Sequence, residues 1–123
     1  ENLFELGHIS DERLMSAIYS AADVFVIPSL EDNFPNTVLE SLMCGTPVIG
    51  FPVGGIQEMI IDGKNGYLCS EISVTSLRSC VEKFISNSNC FNVDEIRKNA
   101  IDLFSIEMQT SRYIALYDKL LIK

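Results

Sequence analysis

Two short, unbroken apolar runs constrain this chain most: Val-Phe-Val-Ile at residues 24–27 and Pro-Val-Ile-Gly-Phe at residues 47–51. A run of that length without polar alternation suits a strand covered on both faces, as in parallel sheets. The stretch between them is no hairpin turn. Pro28 and Ser29 end the first run, a polar loop follows, and helix signals begin at Pro35. Proline fits a first helical position because the N–H it lacks would be unpaired there. Val38, Leu39, Leu42 and Met43 supply an apolar face, and Gly45 stops the helix. Strand, crossover helix and parallel strand is the reading of this centre.

The flanks extend it. Residues 2–6 form an apolar run ending at Gly7 and are predicted as a buried strand. Ser10 is expected to cap a helix with Leu14, Ile18, Ala21 and Ala22 on one face; Arg13 leaves only half of a capping box. A short helix over residues 56–61 ends at Asp62-Gly63, and Lys64-Asn65-Gly66 turns into a last strand at residues 67–69. Helices are predicted over residues 74–85, with apolar positions 74, 77, 81, 84 and 85, then over 93–104 and 105–121. Strand and helix alternate, so the fold class is α/β: a Rossmann-like, four-stranded parallel sheet with helices on both faces.

At 123 residues and 47% hydrophobic content the chain can bury one core, read as one domain over residues 1–123. It has no apolar run near 18 residues and no basic-then-apolar leader, so direct membrane insertion is not expected and a cytoplasmic location is. A net charge of −8 disfavours nucleic acid and anionic lipid as partners. Its distribution says more: the 50 residues between Arg13 and Lys64 contain no Lys or Arg. Cys44, Cys69, Cys80 and Cys90 show no Cys-x-x-Cys spacing, and His8 is the only histidine. Free thiols in a reducing compartment are expected, and no metal.

The loop Asn33-Phe34-Pro35-Asn36 leads into a helix start, where unpaired backbone amides and the positive end of the helix dipole favour an anion. Asn33 or Asn36 capping the helix is the alternative. Glu40 follows about 6 Å up the helix from Asn36 and off the apolar face, where a carboxylate can take both hydroxyls of a ribose or simply be solvated. Gly54-Gly55 permits a close backbone approach or a φ > 0 turn, but Gly-x-Gly-x-x-Gly is absent.

Taken together, residues 28–58, running from Pro-Ser-Leu-Glu-Asp-Asn-Phe-Pro-Asn through Glu40 and Cys-Gly-Thr-Pro-Val-Ile to Gly-Gly-Ile-Gln-Glu, resemble a known site. They are similar to the donor-sugar site of the retaining glycosyltransferases of family 4, the glycosyl transferases group 1, which have the GT-B fold. The family signature is an acid, seven residues and a Glu, here Asp32 and Glu40. The resemblance implies that Glu40 binds the nucleotide ribose. It implies that Asp32, where the family has Glu, binds sugar hydroxyls near the reacting carbon, with Glu31 its neighbouring competitor. Asn33 stands for a usual Gly and Pro35 for another, so the amides of Phe34 and Asn36 inherit donor binding. Gly7, His8 and Ile9 fall where the family meets the base. Gly54 and Gly55 form a site loop, and Glu58 completes a Gly-Gly-x-x-Glu element that is more structural than catalytic.

By the same resemblance the chain is the C-terminal donor-binding part of a longer enzyme, lacking two earlier strands and an N-terminal acceptor domain, through which it could associate with a membrane. The implied reaction moves a sugar, with retention, from a nucleotide-diphospho-sugar to a glycan or lipid-linked acceptor, without metal or other cofactor. A nucleotide-sugar 2-epimerase and a non-catalytic nucleotide-binding module are the alternatives.

Overall fold

The computed structural model describes residues 2–122, so the outermost residues of the expected 1–123 domain lie outside it. Its elements run α1 (Glu12–Ala21), β1 (Phe25–Ile27), α2 (Asn36–Met43), β2 (Val48–Gly50), α3 (Ile56–Met59), β3 (Gly66–Leu68), α4 (Val74–Asn87), α5 (Val93–Phe104) and α6 (Ile106–Leu121). The strands pair in parallel in the order β1-β2-β3, with Phe25 opposite Val48 and Val48 opposite Gly66.

Strand periodicity sorts the core into two layers. Ile27 and Val48 face one way, against Val38 and Leu42 of α2, Ile56 and Met59 of α3, and Ile96 and Ala100 of α5. Ile49, Phe51, Tyr67 and Cys69 face the other way, against Cys80 and Phe84 of α4. Helices therefore cover both faces, and the α/β expectation holds. Val48 and Ile49 are both fully buried, which is why the run carries no polar residue.

Among the described residues the sheet has three strands, not four. Residues 2–6 form no strand, and Leu3 and Phe4 stand 80% and 81% exposed. An apolar run becomes a strand only when a neighbouring edge takes its N–H and C=O groups, and no described strand does so here. Helix α1 starts one residue later than expected because Asp11, not Ser10, caps it: its Oδ1 accepts from the N–H of Arg13 at 2.8 Å and of Leu14 at 3.1 Å. A carboxylate there also complements the helix dipole. The buried face of α1 is turned as well. Tyr19 is 6% exposed and meets Phe25 edge-on at 5.4 Å, whereas Leu14, Ala21 and Ala22 are exposed. In α4 the predicted apolar positions Val74 and Ile85 are exposed, and Cys80 takes a core place beside Phe84.

The four thiols are free. Burial is the main cause that pushes the Cys69 thiol up to about 12, with neighbouring Cys80 adding to it. Since the thiolate is the reactive form, alkylation at pH 8 should label exposed Cys90 first and half-buried Cys44 more slowly. Cys69 should react only on unfolding. Mass-spectrometric mapping of iodoacetamide adducts over time checks this order; early labelling of Cys69 would contradict the packing of α4 on β3.

Candidate functional site

The site is built around the start of α2, beyond the carboxyl end of β1, where open α/β sheets place ligands. Pro35 stands at the N-cap, one position earlier than expected, and is buried. No side chain caps this helix, so the capping alternative for Asn33 and Asn36 falls away. The Val38 N–H bonds back to the Pro35 carbonyl at 3.2 Å, whereas the N–H groups of Asn36 and Thr37 find no partner among the described residues. Two free donors at the positive end of a helix make an anion-accepting surface.

Glu40 is exposed one turn further along. It lines a groove of about 670 Å³ between α1 and α2, together with Asn36, Leu39, Met43, Tyr19, Ser10, Ile9 and, from α6, Ile106. Burial, and then the facing Glu40 carboxylate, pushes the Tyr19 hydroxyl up to about 12, so it stays a donor near neutral pH. The groove is mostly apolar with the acids Asp11, Glu12 and Glu40 in its lining, and among the described residues no Lys or Arg lines it. The two ion pairs among the described residues, Arg78–Glu82 and Lys83–Asp62, lie elsewhere.

The acid expected near the sugar stands apart from this groove. Asp32 is half-buried in the loop before α2, while Glu31 is exposed beside it. The backbone of that loop rests against Gly54-Gly55, which follows β2. A Cβ on Gly54, whose φ is +45°, would overlap the Asp32 carbonyl; one on Gly55 would overlap the Asn33 carbonyl and press on the Phe34 ring. The two glycines thus let one loop seat the other, a closer role than ligand contact alone. Phe34 is anchored from its far side by Phe104, edge to face at 6.0 Å.

Of the predicted site residues, the fold brings Ile9, Asn36 and Glu40 to one groove, and Asp32, Asn33, Phe34, Gly54 and Gly55 to a pair of packed loops apart from it. Gly7 and His8 are exposed and do not line the groove, and Glu58 lies exposed in the first turn of α3. Sequence reasoning missed Tyr19, Met15, Leu39 and Met43 as groove residues. Tyr19 lies four residues after Met15, a spacing that placed both on one helical face. A second cavity of about 270 Å³ lies at the opposite ends of the strands, lined by Asp23, Thr46, Pro47, Phe84 and Phe91 among others. Among the described residues no cluster of His, Cys, Asp or Glu could hold a metal ion, and no helix is long and apolar enough to cross a membrane.

Residues 1–87 match the family model described as glycosyl transferases group 1. N-acetyl-alpha-D-glucosaminyl L-malate synthase of Bacillus anthracis is 29% identical over 119 residues, covering 89% of this chain and 31% of that protein. The structure of sucrose-phosphate synthase from Thermosynechococcus elongatus superposes with a TM-score of 0.80 at 29% identity, over 94% of this chain and 29% of that one. Anabaena HepE in complex with UDP-glucose shares the fold, with a TM-score of 0.63 at 20% identity, over 85% of this chain and 30% of its own. The chain spans less than a third of the length of each.

Proposed function

The chain belongs to the glycosyl transferases group 1 family, and we propose that it forms the C-terminal, donor-binding part of a GT-B enzyme that transfers a sugar from a nucleotide-diphospho-sugar. One observation carries the reading: two unpaired amides, of Asn36 and Thr37, and the Glu40 carboxylate share the first turns of α2 beside an open groove. Diphosphate oxygens suit the amides, ribose hydroxyls suit Glu40, and a base suits the apolar walls near Ile9. The UDP and UDP-glucose named with the HepE structures are ligands of the same chemical class.

In this reading Asp32 meets the transferred sugar and the Asn36 and Thr37 amides hold the leaving diphosphate. Charge grows on that diphosphate as the glycosidic bond breaks, and donors already in place lower the barrier without rearranging. The acceptor, a glycan or lipid-linked alcohol, attacks from the face the diphosphate leaves, so the anomeric configuration is retained. The part of the protein outside this chain brings the acceptor and the cations that the stretch between Arg13 and Lys64 lacks. No metal is required where amides and external cations share the charge.

The test is turnover of a panel of nucleotide-diphospho-sugars by the intact protein, with the anomeric proton of the product read by NMR. Retained configuration supports the reading; inversion or absence of transfer overturns it. Asp32→Asn should leave nucleoside diphosphate affinity within about twofold while lowering sugar transfer by about tenfold or more, since it removes an interaction with the moving group alone. Asp32→Glu should keep part of the activity. One observation favours a second reading, a non-catalytic nucleotide-binding module: among the described residues no Lys or Arg lines the groove. Tight nucleotide binding without transfer, by the intact protein given every acceptor class, selects it.

A further inference from the structure

We propose that Tyr19 is a positioning residue for Glu40: its hydroxyl donates to the Glu40 carboxylate and holds it turned toward the groove, ready for two ribose hydroxyls. The inference rests on the nucleotide reading of that groove and adds a residue to it. Both side chains line the groove, Tyr19 from the last turn of α1 and Glu40 from the middle of α2. The two side chains line the same groove from facing helices, and the Glu40 carboxylate acts on the Tyr19 hydroxyl both as a charge and as a hydrogen-bond acceptor.

Tyr19 is held by packing and through its backbone. Its ring is 6% exposed and stands edge-on to Phe25 at 5.4 Å. Its backbone carbonyl accepts from the Thr46 hydroxyl, and Ser41, one residue after Glu40, donates its hydroxyl to the Thr46 carbonyl at 3.0 Å. The chain segments that carry Tyr19 and Glu40 are therefore both tied to Thr46, in the turn after α2. An exposed Glu alone samples several rotamers and loses that freedom on binding; a fixed donor removes part of the cost beforehand. The phenol keeps its proton near neutral pH, so the donor is always present.

The measurement is calorimetric binding of uridine diphosphate and its 2′,3′-dideoxy analogue to the intact protein, with the guanosine and adenosine pairs run beside them. Tyr19→Phe should weaken the ribose-bearing ligand by about three- to tenfold, the cost of ordering one free side chain on binding, and leave the dideoxy ligand within about twofold. In a Glu40→Gln background the same substitution should change neither ligand by more than about twofold, because the residues act as one unit. Equal weakening of both ligands means that Tyr19 only supports α1, and overturns the proposal. So does an additive loss in the double variant, or no loss at all. If Glu40→Gln by itself leaves ribose-ligand binding unchanged, or if no diphosphate binds, the nucleotide reading fails first. The two failures are thus distinct.

Discussion

Replacing Glu40 with Gln should lower nucleoside diphosphate affinity by about 10- to 100-fold while leaving the fold intact. Glu40 is exposed on α2, away from Val38 and Leu42 in the core, so no buried packing is lost. In the proposed complex it accepts from two ribose hydroxyls, each bond to a charged acceptor being worth about 1.5–3 kcal/mol. Glutamine keeps the volume and one acceptor but turns a donor toward a hydroxyl that needs an acceptor. Losing one such bond costs about one to two decades in affinity. Glu82→Gln, the same charge change in the exposed α4 pair with Arg78, is the control and should bind as the unsubstituted protein does. Calorimetry on the two variants checks the difference; equal binding would remove Glu40 from the site.

Gly54→Ala should destabilise the protein strongly. Two penalties combine. The backbone at Gly54 has φ +45°, which costs an L-residue about 1–2 kcal/mol. The added carbon also runs into the Asp32 carbonyl, a backbone atom that cannot swing aside as a side chain can. Overpacking of this kind costs about 1–3 kcal/mol more, or the loop 32–34 moves and takes the start of α2 with it. Gly63 separates the two penalties, because its φ is +77° and nothing lies within 4 Å of a Cβ there. Gly63→Ala should therefore show the conformational cost alone, about 1–2 kcal/mol, with donor binding unchanged. Denaturant melts of both variants beside nucleotide titrations make the comparison. Equal effects at the two positions would mean that the Gly54 turn does not seat the Asp32 loop.

What the sequence reveals, and what it hides, follows from the range of each interaction. The run at residues 47–51 could be read as a buried strand because continuous apolarity and flanking turns are local signals, and Val48–Gly50 is that strand. Helix α5 over Val93–Phe104 matches its predicted bounds, with Asn92 accepting from the Glu95 N–H at one end. Residues 2–6 mislead because apolarity states what wants covering and not whether a strand edge is at hand. Tyr19 escaped because an amphipathic side chain counts for little in an apolar stripe, yet it fills the face that Leu14 was expected to fill. Leu39 and Met43 are read onto the apolar face of α2 and do pack against the core, but that they also line a groove is not a matter of periodicity. The acid pair Asp32 and Glu40 was visible as a spacing. That the two stand in different surroundings, one in a loop braced by Gly54 and one in a groove beside Tyr19, depends on contacts between distant segments.

The most direct test of the donor-site assignment is a crystal structure of the intact protein with a bound nucleoside diphosphate. The expected complex has the ribose hydroxyls on the Glu40 carboxylate, the diphosphate on the Asn36 and Thr37 amides, and the base against the groove wall near Ile9. A nucleotide bound instead in the cavity between Asp23, Thr46 and Phe91, at the other ends of the strands, would contradict it.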